Sequence, residues 1–272
     1  MTRICELLDK ARAGFYTQRT KRKKQHVDCL IILDLVKRQR EIMPRLGARK
    51  LLVRIRPQLE ELGIKIGRDR FLKLLRDNDL LVPKLKVFAP KTTYFDSSLR
   101  IALNLVSDLE LEHVNQVWVA DITYIRLTGG FCYLCLIMDK FSRKVVGWHV
   151  GETLSATDTL VALDMAIKTL APGGLLPIHH SDRGSQYASR KYYEALAAAG
   201  LIPSMTEVLH CYENAHAERL NGILKHEFGL GCTFADIKQA RKATRQAVDV
   251  YNSCRPHESL GYKTPQEVYE AA

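Results

Sequence analysis

The sequence predicts an α/β protein in which a mixed five-stranded sheet is flanked by helices and preceded by a smaller helical domain. Three observations support this fold class. Apolar residues of segment 27–83 recur at helical spacing, and segment 116–150 is rich in β-branched and aromatic residues between Gly-containing turns. Strand-like and helix-like segments then alternate to about residue 228. A chain of 272 residues is long enough for one medium domain and one small one.

The N-terminal third is strongly basic. Residues 1–100 contain 25 Lys and Arg against 11 Asp and Glu, a net charge of +14, whereas the remainder carries a net charge of −3. We expect residues 1–26, which end in the basic run from Arg19 to Lys24, to form a basic N-terminal segment. This excess of positive charge is typical of a nucleic-acid contact, although a solvated surface can have the same composition.

Residues 27–83 are predicted to form a helix-turn-helix-like DNA-binding domain. A helix over residues 27–40 is followed by a second that runs towards Glu61 and stops at Gly63, a residue type favoured just after a helix. A third helix begins after Gly67. An ordinary helical hairpin with a charged face is the alternative interpretation. The candidate DNA-binding residues here are Arg49, Lys50, Arg68 and Arg70.

A linker over residues 84–115 is predicted from its prolines and turn signals, with a helix considered around Leu99–Leu109. Residues 116–230 are predicted to form the sheet-containing core. Its elements are strands over 116–127, 131–139, 145–150, 177–181 and 201–205, and helices over 155–170, 189–199 and 212–228. Residues 231–272 are predicted to be a helical extension whose last helix starts with a capping box at Thr264 and Glu267.

Cys132 and Cys135 form a C-x-x-C inside the second predicted strand. Residues three apart on a strand point to opposite faces, so we interpret this pair as core packing rather than as a zinc site. The seven cysteines have scattered spacing, which argues against a disulfide framework. The sequence contains no run of 18 uncharged apolar residues and no secretory signal. We therefore expect a cytoplasmic protein without a membrane span.

Three acidic residues occupy unusual positions in the predicted core. Asp121 lies inside the first strand, Asp182 stands where the fourth strand ends, and Glu218 lies beside the apolar face of the last core helix. A buried carboxylate is costly unless it is paired or metal-bound, and oxygen-seeking cations such as Mg²⁺ relieve the repulsion between several of them. Taken singly, Asp182 can be a turn residue and Glu218 a solvated helix residue. The hypothesis of a metal site therefore rests on the combination.

The segments around these acids resemble motifs of insertion-sequence transposases, specifically the product of the second of two overlapping reading frames. The segments are Trp118–Tyr124, His180–Tyr187 and Asn214–Glu227, with 35 residues between Asp182 and Glu218; Gly47–Leu51 and Tyr251–Pro265 also resemble the family. The wider group is the DDE transposase and retroviral integrase superfamily, which implies an RNase H-like fold for the sheet domain. The chain departs from the family in segment 206–213, which is less basic, and at Arg219-Leu220.

The resemblance implies a polynucleotidyl transferase that hydrolyses a phosphodiester at an element end and transfers the freed 3′-OH to target DNA. It implies that Asp121, Asp182 and Glu218 hold two Mg²⁺ or Mn²⁺ ions. Further candidates for DNA contact are Lys225, which lies two helical turns after Glu218, and Gln186 and Arg219. His180 is a weaker candidate that can equally be structural.

The resemblance also implies partners and a location. We expect double-stranded DNA as both element end and target, a homo-oligomer on that DNA, and the first-reading-frame product as a fusion or a separate partner. We expect the protein to be associated with the bacterial nucleoid. Two other functions fit the same sequence: a DNA-binding regulator that keeps the fold without activity, and a nuclease that cuts but does not join.

Overall fold

The computed structural model describes residues 12–83, 102–207 and 214–272. The chain divides into two compact units, with the division between Pro83 and Lys84. In these described ranges, none of the helices combines the length and the apolar character that crossing a membrane requires.

The N-terminal unit contains three helices, α1 (Arg12–Ile42), α2 (Ala48–Glu61) and α3 (Arg68–Asp77). The basic run of residues 19–24 lies within α1, which continues without a break through residue 27; Lys and Arg are good helix formers, so their charge does not interrupt it. Gly63 follows α2 in the left-handed conformation, and its amide donates to the Glu60 carbonyl at 3.0 Å. The interior of α2 and α3 consists of Leu51, Leu52, Ile55, Leu59, Phe71 and Leu75.

The C-terminal unit is a mixed sheet with helices packed on it, and the predicted α/β class is confirmed. The strands are β1 (Val117–Leu127), β2 (Gly130–Asp139), β3 (Val145–Gly151), β4 (Ile178–Ser181), β5 (Ile202–Met205) and β6 (Thr233–Phe234). The helices are α4 (Ala156–Ile167), α5 (Arg190–Ala198), α6 (Ala215–Glu227), α7 (Ile237–Cys254) and α8 (Pro265–Glu270), with a 3-10 turn at Glu258–Leu260.

Five strands lie in the order β3-β2-β1-β4-β5, and β6 pairs with the far end of β1. The first three form the predicted antiparallel meander, whereas β4 runs parallel to β1 and β5 parallel to β4. The sixth strand was not predicted, because a two-residue strand has no periodic pattern. The predicted helix starts at Ser155 and Thr264 are confirmed: each side chain accepts a hydrogen bond from a backbone amide of its helix, and Glu267 completes the capping box.

The sheet separates two hydrophobic cores. On one face, strand residues such as Val119 and Leu134 pack with Leu220 and Leu224 of α6 and with α7; we call this the α6–α7 core. On the other face, residues such as Trp118 pack with α4 and α5, which we call the α4–α5 core. Cys132 belongs to the α6–α7 core and Cys135 to the α4–α5 core, so the prediction that this pair serves packing on opposite faces is confirmed.

Residues 102–115 have no regular secondary structure, so the helix considered around Leu99–Leu109 does not form over 102–109. The segment instead joins β5 at the sheet edge: the Leu105 amide donates to Ser204 Oγ at 2.9 Å, and the Met205 amide donates to the Leu103 carbonyl at 3.4 Å. Pairing with an otherwise open strand edge satisfies backbone groups that a helix would satisfy internally. The remainder of the predicted linker, residues 84–101, lies outside the described residues.

Candidate functional site

Asp121 and Asp182 are neighbours across the centre of the sheet. In the parallel pair β1–β4, Ala120 is in register with Ser181, and the two acids are the residues that follow. Adjacent strands lie about 4.8 Å apart, so two carboxylates at this level act on each other electrostatically. The charge of Asp182 accordingly raises the pKa of Asp121.

Glu218 approaches the same place from α6. Every second residue of a strand points to the same face of the sheet. Val117 and Val119 face the α6–α7 core, so Asp121 also points to the side on which α6 lies. Asn214 at the start of α6 donates from Nδ2 to the Ala120 carbonyl at 3.0 Å, which fixes the first helical turn against β1. Glu218 lies in that turn, and its charge also raises the pKa of Asp121.

The ionised form of Asp121 is poorly stabilised. Burial is the largest cause that raises its pKa to about 7, and the charges of Asp182 and Glu218 add to this effect. Two hydrogen bonds work in the opposite direction: the Ile122 amide donates to Oδ1 at 2.9 Å and Asn221 Nδ2 donates to Oδ2 at 2.6 Å. Burial also raises the pKa of Asp182, against a hydrogen bond from the Gly184 amide at 3.1 Å.

The three acids act on one another electrostatically but are not grouped as ligands. Across the described ranges, no three His, Cys, Asp or Glu side chains are grouped closely enough to hold a metal ion. Asp121 and Asp182 are held by hydrogen bonds, whereas the Glu218 side chain is exposed. Carboxylate oxygens with an excess of negative charge suit a hard divalent cation. The donor chemistry therefore fits such an ion, and rotation of Glu218 towards Asp121 would complete the set.

Lys225 places a positive charge beside this acidic cluster. It lies two helical turns after Glu218, and its Nζ stands 4.0 Å from the centroid of the Tyr124 ring, a cation–π contact. Burial lowers the pKa of Lys225, and the charge of Asp121 partly offsets that effect. Glu218 and Lys225 lie in the same uninterrupted helix two turns apart, as the predicted common face requires.

The other two predicted DNA-binding residues of the core make different contacts. Gln186 donates from Nε2 to the Leu154 carbonyl at 3.2 Å. Arg219 is exposed, and its charge acts on Arg143 in the β2–β3 turn. His180 is buried inside β4, where its Nδ1 lies 2.9 Å from Ser204 Oγ. This position supports the structural interpretation of His180.

The four predicted DNA-binding residues of the N-terminal unit lie on α2 and α3. Arg49, Arg68 and Arg70 are exposed, and Lys50 is half-buried. Arg68 makes an ion pair with the adjacent Asp69 at 2.9 Å, and further along α3 Lys73 pairs with Asp77. Arg68 and Arg70 thus present positive charge to solvent at the start of α3.

Asn221 was not predicted as a site residue, although it makes the shortest hydrogen bond to Asp121. It lies one turn after Glu218 and is only 7% exposed. The signal available in the sequence is a polar amide beside the apolar stripe of Ala217, Leu220 and Leu224, because a buried amide needs a partner. Its Oδ1 is buried and, within the described residues, has no hydrogen-bond partner.

Two overlapping parts of the chain match a known family. Residues 112–211 and residues 199–265 each match a family described as Integrase core domain. The insertion element IS600 uncharacterized 31 kDa protein of Shigella sonnei is 32% identical over 266 residues, which cover 96% of each chain. The transposase for insertion sequence element IS629 of Shigella sonnei is 38% identical over 214 residues, which cover 79% of this chain and 71% of that protein.

Among solved structures, the HTLV-2 integrase catalytic core domain in complex with magnesium is similar at 20% identity and a TM-score of 0.46. The similarity covers 58% of this chain and 97% of that one. The fold assignment rests on the strand order and register of the sheet rather than on this distant likeness.

Proposed function

The chain belongs to the insertion-sequence transposases with an integrase core domain, in the DDE transposase superfamily, and we propose that Asp121, Asp182 and Glu218 are the acids with which it cuts and joins DNA. Its reaction is polynucleotidyl transfer on DNA during transposition. The observation that supports the proposal is the position of the three acids: Asp121 and Asp182 follow paired residues of β1 and β4, and Glu218 lies in the first turn of α6, which Asn214 fixes against β1.

The proposed reaction exchanges phosphodiester bonds without a covalent protein intermediate. The oxygen of a water molecule attacks the phosphorus at the element end, the bond from phosphorus to the 3′-oxygen breaks, and a 3′-OH is released. That 3′-OH then attacks a phosphorus of the target strand, and the target's own 3′-oxygen leaves as a new hydroxyl. The second step forms one phosphodiester for each one it breaks, so it needs no external energy source.

The family uses divalent metal ions, and we propose two Mg²⁺ or Mn²⁺ ions held by Asp121, Asp182 and Glu218. When bound, such ions activate the attacking oxygen and stabilise the leaving one. Residues of this chain orient the ligands: Asn221 and the Ile122 amide fix the Asp121 carboxylate, and the Gly184 amide fixes that of Asp182. Outer hydrogen bonds of this kind set ligand orientation in metal sites.

DNA contacts are proposed in both units. We propose that Lys225 binds a phosphate of the strand that is cut, and its position over the Tyr124 ring and the effect of the Asp121 charge on it support this role. Further proposed contacts are Gln186 and Arg219 in the C-terminal unit, and Arg49, Lys50, Arg68 and Arg70 in the N-terminal unit.

The proposed substrates are double-stranded element ends and target DNA. A homo-oligomer would hold two ends together, and the first-reading-frame product, as a fusion or a separate chain, would add end recognition. The relatives are encoded by bacterial insertion elements, which supports a site of action on nucleoid DNA in the bacterial cytoplasm.

A strand-transfer assay with end-bearing DNA and Mg²⁺ or Mn²⁺ tests this function. The unaltered chain should give nicked and joined products, and Asp182→Asn should lose both by at least about a thousandfold, because several kcal/mol of transition-state stabilisation disappear. Asp249→Asn, an exposed substitution on α7, is the matched control and should keep both. Tight binding without cutting by the unaltered chain would favour a regulator, and nicks without joined products would favour a nuclease.

A further inference from the structure

Three cationic residues lie on two elements that contact neighbouring positions of β1: the Lys140 amide donates to the Val117 carbonyl at 2.9 Å, and Asn214 at the start of α6 donates to the Ala120 carbonyl at 3.0 Å. Lys140 and Arg143 lie in the turn between β2 and β3, and Arg219 lies in α6. Within ranges 12–83, 102–207 and 214–272, none of the three makes an ion pair. Burial is the largest cause that lowers the pKa of Lys140 and of Arg143, and the neighbouring charges of Arg143 and Arg219 lower them further.

The carboxylate whose charge acts on Arg143 is that of Asp139, which accepts its hydrogen bonds from other residues. Asp139 accepts hydrogen bonds from the Ser142 amide at 2.7 Å, from Ser142 Oγ at 2.5 Å and from the Asn115 amide at 2.8 Å. One guanidinium nitrogen of Arg143, Nη1, is buried and has no hydrogen-bond partner in the part of the chain that the structure describes. A buried donor without an acceptor is unfavourable, so the Arg143 guanidinium would gain a hydrogen bond by turning towards an anionic ligand.

The backbone at Arg143 is in an unusual conformation. Its φ is +66°, in the left-handed region that glycine and asparagine enter more readily than arginine. The surrounding turn holds it there: the Arg143 amide donates to the Asp139 carbonyl at 2.9 Å, and the Arg143 carbonyl accepts from Tyr251 Oη at 3.0 Å. Residues held in such conformations by their surroundings cluster at functional sites.

We propose that Lys140, Arg143 and Arg219 form a binding site for one backbone phosphate of the bound DNA, separate from the phosphate that is cut. The planar fork of Arg143 and the ammonium group of Lys140 match the anionic oxygens of a phosphodiester. The inference rests on the proposed function only in taking DNA as the ligand.

The location of this phosphate site relative to Asp121 follows from β1. The Lys140 amide donates to the Val117 carbonyl at 2.9 Å, and Val117 lies four residues before Asp121. Four residues of a strand span about 13 Å. The site would thus hold DNA a few nucleotides from the reacting phosphate.

The salt dependence of DNA binding by the full chain tests the proposal. Affinity for a short duplex of arbitrary sequence is measured over a range of NaCl concentrations, with Ca²⁺ in place of Mg²⁺ so that binding is observed without cutting. Lys140→Gln, Arg143→Gln and Arg219→Gln should each weaken binding by about tenfold and reduce the slope of log affinity against log salt by about 0.9, the loss of one phosphate contact. Because the three residues share one phosphate, the triple variant should reduce the slope by no more than a single variant does.

Three controls complete the test. Lys168→Gln, at the exposed end of α4, should leave the slope unchanged. Arg143→Lys keeps the charge and should restore the slope, which separates a binding effect from a folding defect. Inorganic phosphate, added at constant ionic strength, should compete with DNA in the unaltered chain and less in the triple variant.

Unchanged slopes, or a triple variant that loses about three contacts, would overturn the shared site. Equal competition by inorganic phosphate in the unaltered chain and the triple variant would do the same. The assay does not require cutting, so its result is independent of the strand-transfer assay: an inactive chain can still support the phosphate site, and an active one can still refute it.

Discussion

At the residue scale, the carboxyl group of Asp121 has a pKa of about 7 because burial and the charges of Asp182 and Glu218 disfavour its ionised form. In the unfolded chain an aspartate titrates near pH ~4. Between about pH 4 and pH 7 the folded chain therefore holds a proton that the unfolded chain has released. The stability of the metal-free protein falls as pH rises through this window, since the native state binds more protons.

Replacing Asp121 with asparagine should remove this pH dependence. Without divalent metal at pH 7, Asp121→Asn should raise the free energy of unfolding by about 1–3 kcal/mol, a range that allows for the partial exposure of the side chain. Asn221 can accommodate the new amide by presenting its unpartnered Oδ1. Urea denaturation in EDTA between about pH 4.5 and 8 measures the effect, with Asp249→Asn as the exposed control. Parallel stability curves for Asp121→Asn and the unaltered chain would refute this account of the buried charge.

Asn221 should affect catalysis through Asp121. Asn221→Ala removes the 2.6 Å hydrogen bond to Asp121 Oδ2, so the carboxylate loses a group that orients it. We expect single-turnover cleavage to slow by about 10–100-fold and to require more Mn²⁺ for half-maximal rate. The neighbouring Gly222→Ala is the control, because nothing lies within 4 Å of the added methyl group. An unaltered Mn²⁺ requirement in Asn221→Ala would contradict the orienting role.

At the element scale, α6 is anchored at both ends. At the start of α6, Asn214 Nδ2 donates to the Ala120 carbonyl. At the end of the helix, Glu227 accepts two hydrogen bonds from Arg255, at 2.7 and 2.8 Å. Arg255 is almost fully buried, and its Nη1 lies 2.9 Å from His257 Nε2. The C-terminal extension thus holds the helix that carries Glu218 and Lys225.

Loss of the buried ion pair should destabilise the C-terminal unit. Arg255→Met removes the bidentate partner of Glu227, and we expect the free energy of unfolding to fall by about 2–4 kcal/mol. Lys168→Met is the matched comparison, because its pair with Asp164 is exposed and should contribute less than about 0.5 kcal/mol. Urea denaturation of both variants distinguishes the pairs. Similar small losses in the two would show that the Arg255 pair does not anchor α6.

Element positions were predictable where one physical rule dominates. Richness in β-branched and aromatic residues between Gly-containing turns located the meander of β1, β2 and β3, and capping side chains located the starts of α4 and α8. Tertiary contacts decided the rest. The segment after residue 102 pairs with β5 instead of forming a helix, and the two-residue β6 exists only through its pairing with β1.

At the scale of the whole molecule, positive charge is concentrated in the first hundred residues. If α3 contacts DNA phosphates, Arg68→Gln with Arg70→Gln should reduce the slope of log affinity against log salt by up to about 1.8, or two contacts. Fluorescence anisotropy with labelled duplex between about 50 and 200 mM salt measures this slope. Lys73→Gln on the same helix removes a single charge at a residue that is not a proposed DNA contact, and it should change the slope less. An equal slope in all three proteins would place the DNA elsewhere.

The candidate site combines predictable and unpredictable parts. The three acids could be proposed from the sequence only in combination, because Asp182 alone fits a turn and Glu218 alone fits a solvated helix face. The register of β1 with β4 then accounts for the proximity of Asp121 and Asp182. The direction of the Glu218 side chain, the hydrogen bond from Asn221 and the convergence of Arg143 with Arg219 depend on how α6 packs across the sheet. No local pattern encodes that packing.

The position of Mn²⁺ in crystals of the full chain bound to DNA decides whether the three acids form a metal site, because Mn²⁺ can be located by its anomalous scattering. We expect anomalous peaks between Asp121, Asp182 and Glu218, with carboxylate oxygens about 2.0–2.3 Å from the ions and Glu218 turned towards Asp121. Carboxylates that stay apart with no Mn²⁺ between them, while DNA is bound beside them, would contradict it.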